Sequence, residues 1–147
     1  MVGYTHQIKN YDCGTTAFRN SMLILGHELS WEECKVLVGT TARGGTTKIG
    51  MARGIRSMGF TPVIYRQRDD CLAWRWMKRW CESLPIITLV DLDSHWVLTH
   101  GVVDSKVLVI DPTLGINPGE NGTYLYCKDE MLFRWKSKEL YAIRISR

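Results

Sequence analysis

Residues His95–Asp111 read HWVLTHGVVDSKVLVID. Two β-prone runs, His95 to Val103 and Lys106 to Asp111, are joined near Asp104-Ser105, as in a strand pair closed by a short turn. Apolar residues fall on both parities: Val97 and Val103 on one face, Trp96, Leu98 and Val102 on the other. A strand with one wet face would alternate, so this pattern predicts a sheet covered on both sides.

Working outward, Pro85 to Val90 is a continuous apolar run, and Thr61 to Tyr65 is short and β-prone. Between them lies a tryptophan-rich segment with Leu72, Trp76 and Trp80 at i, i+4, i+8, which predicts a helix with those three on its packed face. The N-terminal half reads as helices. Phe18, Met22 and Leu25 share a stripe closed by Gly26, and Met51, Ile55 and Met58 share one closed by Gly59. Between these, Ser30-Trp31-Glu32-Glu33 is a capping box that opens a helix running to about Val38. Downstream, Gly115 to Gly122 reads as a loop, Lys128 to Trp135 as a last helical turn, and Tyr141 to Ile145 as a closing strand. Helices first and antiparallel strands afterwards define an α+β order, with residues 1–147 as one domain.

The 147 residues are 45% hydrophobic and 23% charged, enough for a single buried core. No stretch is long and apolar enough to span a bilayer, and Met1 to Gln7 lacks a secretory pattern, so a cytoplasmic protein is expected. Five scattered cysteines with no C-x-x-C pair exclude a fully paired disulfide framework and offer no close pair of metal ligands. The net charge of +4 is concentrated between Arg66 and Arg79, among Trp74, Trp76 and Trp80. Such interleaving can bind single-stranded nucleic acid, but the helical spacing favours an amphipathic helix with tryptophans inward.

Chemistry gathers around Cys13. It stands at the start of the first apolar helix, where the positive end of the helix and a nearby imidazolium favour a thiolate. Gly14 adds no side chain beside the sulfur; Asp12, in the N-cap position, is expected to accept an amide hydrogen bond. A cysteine nucleophile needs a base that is distant in sequence. His6 and His27 fall in surface positions, and His95 and His100 lie on one strand with opposite parity. His95, at the strand's beginning, is the base; His100 is expected to be a satisfied core histidine. Asp111 is the candidate to orient His95. A regular two-residue hairpin would put Asp111 on the wrong face, so the triad requires a three-residue loop, Asp104-Ser105-Lys106, or a bulge. The side-chain amide of Gln7 and the Cys13 N–H are the candidate oxyanion donors. Gly14, Asp12 and Trp96 are the candidate substrate-binding residues. No metal or organic cofactor is called for.

The ordered set Gln7-(five residues)-Cys13-Gly14, Gly39-Thr40, Gly45-Thr46-Thr47, Gly59-Phe60, Leu84-Pro85, His95-Trp96 and Asp111-Pro112 resembles the bacteriocin-leader-processing cysteine peptidases. These are papain-like domains found at the N-terminus of peptidase-containing ABC transporters. The resemblance implies a papain-like fold, with Cys13 as nucleophile, His95 as base, Asp111 as orienter and Gln7 in the oxyanion hole. It also implies cleavage after a Gly-Gly pair in a peptide or leader, with a transporter or conjugation system as a possible partner. An isopeptidase acting on ubiquitin-like tails and a catalytically silent peptide-binding domain are the alternatives. The chain departs from the family at Thr15-Thr16 and in the Trp- and Arg-rich stretch 69–82, and its end at Arg147 suggests a free-standing or excised domain.

Overall fold

The structure is a computed structural model that describes residues 11–112, 123–136 and 139–147. Three helices come first: α1 (Cys13–Ile24), α2 (Trp31–Val38) and α3 (Lys48–Ser57). Then follow β1 (Thr61–Gln67), α4 (Asp70–Cys81), β2 (Ile86–Val90), β3 (His95–Val103), β4 (Lys106–Ile110), β5 (Thr123–Tyr126), α5 (Lys128–Trp135) and β6 (Leu140–Ser146). Local chemistry sets the helix starts. Ser30 Oγ accepts from the Glu33 amide at 3.1 Å while Glu33 Oε2 accepts from the Ser30 amide at 2.8 Å, closing the expected capping box. Thr47 Oγ1 caps α3 through the Gly50 amide, and Asp69 Oδ1 caps α4 through the Leu72 amide.

The strands form one six-stranded sheet in the order β1-β6-β2-β3-β4-β5, with every neighbouring pair antiparallel. Both faces are covered, as the mixed parity of β3 predicts. Ile87, Leu89, Trp96, Leu98, Ile110 and Ile143 pack against Phe18, Met22, Met51 and Ile55 of the N-terminal helices. Ile86, Val90, Val97, Val107, Val109 and Ala142 pack against Trp74 and Met77 of α4 and Met131 and Trp135 of α5. This is the α+β, helices-on-sheet architecture expected from the sequence.

Three local expectations change. The hairpin between β3 and β4 is a two-residue turn, with Asp104 and Ser105 both at positive φ (49° and 63°) and Val103 opposite Lys106, not a three-residue loop. The required odd residue is supplied by the alternative, a bulge between Thr99 and Val102, where Gly101 takes φ 116°. On α4 the innermost residues are Ala73, Trp74, Met77 and Cys81, while Leu72 is 46% exposed. Trp76 and Trp80 are partly buried against the edge of the same cluster, Trp76 stacked on Tyr65 with ring centroids 3.8 Å apart. His100 falls at the bulge, where its buried Nδ1 has no hydrogen-bond partner among the described residues, so it is not the satisfied core histidine expected. Strand β5 was unforeseen, and the Gly115 to Gly122 loop lies outside the described residues.

Candidate active site

Cys13 is the first residue of α1 and only 7% exposed. Asp12 occupies the N-cap position, but its carboxylate makes no capping bond. Its φ of −92° and ψ of 7° differ from the extended geometry that aims a cap side chain at the helix amides. The first turn is instead tied by Thr16, whose amide and hydroxyl both donate to the Asp12 carbonyl at 2.9 Å. The Asp12 carboxylate is buried, with Lys35 Nζ 3.9 Å from Oδ1.

One wall beside Cys13 is the 40–47 segment. A chain of hydroxyls holds it to α1: Thr15 Oγ1 bonds Thr40 Oγ1 at 2.6 Å, which bonds Thr46 Oγ1 at 2.6 Å. This gives Thr15 and Thr16 distinct structural tasks. Trp96, 3% exposed, donates its indole N–H to the Thr46 carbonyl at 2.9 Å. Gly14 lies directly beneath: a Cβ there would overlap Thr46 Oγ1 and Cβ and come 3.0 Å from Trp96 Cδ1. The space left by the missing side chain is therefore filled by the wall itself. Between the wall and the β2–β3 turn opens a cleft of about 390 Å³, lined by Tyr11, Cys13, Gly44 to Lys48, Leu89, Asp93, Ser94 and Trp96. Gln7 lies outside the described residues.

His95 opens β3 and follows a left-handed turn in which Asp91, Leu92 and Asp93 take φ of 53°, 57° and 62°. Three such non-glycine residues in succession are costly, on the order of 1–2 kcal/mol each, and imply that neighbours hold the turn in place. Nε2 of His95 bonds Asp111 Oδ1 at 2.7 Å. The bulge makes this possible. On the Cys13 side of it, Leu98 pairs with Ile110 and Thr99 with Val109; one further step sets Asp111 opposite Val97, on the face His95 shares. With the register of the turn end, Val102 opposite Val107, Asp111 would face the other way. Cys13 is the second side chain whose presence raises the His95 pKa, and with Nε2 engaged, Nδ1 is the ring nitrogen available to the thiol. Burial alone would depress the imidazole, but the Asp111 bond and the influence of Asp111 and Cys13 together outweigh it and push His95 up to about 9. At neutral pH the imidazole is thus held protonated beside the sulfur.

A residue without a signal in the sequence completes the cluster. Arg134, on α5, donates from Nη1 to Asp111 Oδ2 at 2.7 Å and to the Tyr126 hydroxyl at 3.2 Å. It also grips Asp91 through Nε at 3.0 Å and Nη2 at 2.6 Å, while its own carbonyl accepts from the Asp91 amide at 2.8 Å. A single arginine on a short amphipathic helix reads as solvated, and nothing in its spacing points across the sheet.

No curated protein sequence matches the chain. The profile of the peptidase C39 family matches residues 1–141. Among solved structures, a double glycine motif protease from an AMS/PCAT transporter, in complex with its leader peptide, is similar with a TM-score of 0.78 and 16% identity, covering 99% of this chain and 91% of that one. The peptidase domain of Streptococcus ComA, a bifunctional ABC transporter of a quorum-sensing pathway, gives 0.75 and 17%, covering 97% and 96%. That of Streptococcus mutans ComA gives 0.67 and 15%, covering 99% and 100%. At these identities the structures speak for the papain-like fold, and the family profile for the lineage. The chain belongs to the peptidase C39 family of cysteine peptidases.

Proposed function

We propose that this chain hydrolyses a peptide bond through Cys13, His95 and Asp111, after a Gly-Gly pair that ends a leader segment. The observation that carries the reading is the buried His95–Asp111 bond of 2.7 Å on a histidine whose charged form the helix-start cysteine also favours. The imidazolium stabilises the thiolate form of Cys13. Its sulfur attacks the carbonyl carbon of the scissile bond. The Cys13 amide, one of the N–H groups a helix start leaves without an intrahelical partner, and the Gln7 side chain hold the oxyanion. His95 gives its Nδ1 proton to the leaving amine, then takes one from water, whose oxygen attacks the thioester and releases Cys13. Asp111 keeps the ring oriented throughout.

Specificity for glycine is supported by the cleft and by the relative described above as a double glycine motif protease. Trp96 and residues 44–48 line the cleft that Cys13 shares, and we place the residues without side chains ahead of the cut along them. We carry over from the same relatives a peptide substrate and work beside a transporter, and we propose the cytoplasm as its place. The test is incubation with peptides ending a leader in Gly-Gly, Gly-Ala or Ala-Ala, using wild type and Cys13→Ala. Cleavage after Gly-Gly alone, lost in Cys13→Ala, is expected. Peptide binding by both proteins with no cleavage by either would replace the peptidase reading with that of a silent binding domain.

A further inference from the structure

We propose that Arg134 is a positioning residue for the Cys13–His95–Asp111 site, and that its guanidinium is the reason position 111 carries a carboxylate rather than an amide. The inference rests on the catalytic reading above. Two donors converge on Asp111 from opposite sides: His95 Nε2 on Oδ1 and Arg134 Nη1 on Oδ2, both at 2.7 Å. The carboxylate is 2% exposed, so water has little room to substitute for either donor. The two donors sit on different oxygens, so both positions must carry an acceptor atom, which a carboxylate provides and an amide does not.

An asparagine would have one oxygen to share. Its amide nitrogen would then face an N–H, whichever way the group turned. The charged donor makes the stronger bond, so the oxygen goes to Arg134 and the amide nitrogen turns to His95. A histidine facing a donor at Nε2 must put its proton on Nδ1 and accept at Nε2. That tautomer has no lone pair toward Cys13 and cannot take the thiol proton. Papain-like sites that use an asparagine in this role are open to it when no second donor stands behind the amide.

Arg134 also ties the orienting residue to the turn that presents His95. The same guanidinium spans Asp111 and Asp91, and Asp91 begins the left-handed turn that ends one residue before His95. A lysine could donate to one of these carboxylates but could not bridge both with this planar fork.

The chemistry yields a rescue experiment. In Asp111→Asn the oxygen is captured by Arg134. In the double variant Asp111→Asn with Arg134→Gln, the glutamine oxygen can accept from the asparagine NH2 and free the asparagine oxygen for His95. The readout is iodoacetamide alkylation of Cys13 at pH 6, followed on its own peptide by mass spectrometry, together with the kcat of Gly-Gly peptide cleavage. Folding is checked for each variant by circular dichroism. Asp111→Asn is expected to lose about 10³–10⁴ in kcat, the scale of a wrong-tautomer defect. Arg134→Gln alone should lose about 10- to 100-fold, as outer partners of reacting groups do, with KM little changed. The double variant should exceed Asp111→Asn by at least about tenfold, although it carries one substitution more.

A double variant no faster than Asp111→Asn, or Arg134→Gln equal to wild type, overturns the role of Arg134. Should Asp111→Asn alone fail to fold, the comparison of Arg134→Gln with Arg134→Lys decides: equal kcat to wild type in both removes the proposal, and graded loss with lysine intermediate supports it. His95→Ala separates this failure from that of the catalytic reading. Alkylation of Cys13 untouched by His95→Ala sinks the triad itself. Alkylation abolished by His95→Ala without rescue in the double variant sinks Arg134 alone.

Discussion

Gly14→Ala tests what the glycine beside the cysteine is for. If its purpose were to let a substrate approach, alanine would leave the resting protein intact, or stabilise it by up to about 1 kcal/mol through helix propensity, and would raise KM. The structure leads to another outcome. The new Cβ would overlap Thr46 Oγ1 and Cβ and stand 3.0 Å from Trp96 Cδ1. Thr46 cannot yield freely: its hydroxyl is held by Thr40 at 2.6 Å and its carbonyl by the Trp96 indole at 2.9 Å. Overpacking of this kind costs about 1–3 kcal/mol, and the helix gain offsets only part of it. A net loss of about 1–2 kcal/mol corresponds to a melting point lower by roughly 2–8 °C for a chain of this size. The assay is thermal unfolding followed by circular dichroism, with a double-mutant cycle through Thr46→Gly, which removes both overlapping atoms. In that background the alanine should cost close to nothing. A Gly14→Ala protein that melts at or above wild type would falsify the packing account and return the glycine to the substrate.

Other consequences are measurable on the same footing. His95 is raised from 6.5 to about 9, so the stability it contributes is fully present below pH 6.5 and is lost as the pH rises through about 9. At about 1.4 kcal/mol per pH unit this is on the order of 3 kcal/mol, and urea titrations at pH 6 and pH 10 should show the drop in wild type but not in His95→Ala. Burial pushes the Cys34 and Cys81 thiols up to about 11, so at pH 6 both should resist iodoacetamide while Cys13 reacts; labelling of Cys34 or Cys81 at a rate matching Cys13 contradicts this. Trp96→Phe keeps most of the buried ring but strands the Thr46 carbonyl, at a cost of about 1–3 kcal/mol, and increased proteolysis within residues 40–47 is the sign to look for. Ser30→Ala removes one half of the α2 capping box and should destabilise by about 1 kcal/mol without altering kcat.

The parts of this molecule that were readable in advance are those with short-range causes. The capping box at Ser30 and Glu33, the apolar stripes ending at Gly26 and Gly59, and the two covered faces of β3 follow from rules that operate within a few residues. Where a contact depends on partners far along the chain, the pattern was silent or misleading. On α4 the fully buried stripe, Ala73, Met77 and Cys81, lies one residue from the expected one, with Trp76 and Trp80 at its edge and Trp76 stacked on Tyr65 of another element. Asp12 had the right residue type for a cap and the wrong backbone geometry. Arg134 carried no signal, since its partners Asp91 and Asp111 lie 43 and 23 residues away. Gly14, read as room for a ligand, turned out to sit under a wall whose nearest atom belongs to Thr46.

The bulge at His100-Gly101 joins the two kinds of knowledge. Strand parity is a local rule, and it states that His95 and Asp111 cannot share a face across a regular two-residue hairpin. The turn is nonetheless a two-residue one, with both central residues left-handed, as the twist of a hairpin favours. The chemistry of a histidine that needs an acceptor on Nε2 therefore places the extra residue elsewhere on the pair, and the glycine at φ 116° marks where the strand can take it. Side chain and backbone are thus bound by one constraint: at this spacing of His95 and Asp111, the site exists because β3 is one residue longer than its partner between Thr99 and Val102. Deleting Gly101 removes the extra residue: His100 then pairs with Leu108, Thr99 still pairs with Val109, and Asp111 stays opposite Val97 on the face of His95. The expected protein is folded, retains its helices and strands by circular dichroism, and alkylates Cys13 at the wild-type rate rather than at that of His95→Ala. A folded deletion variant that alkylates Cys13 only at the rate of His95→Ala would show that the dyad does not follow from the register, and the geometric derivation of the site would fall with it.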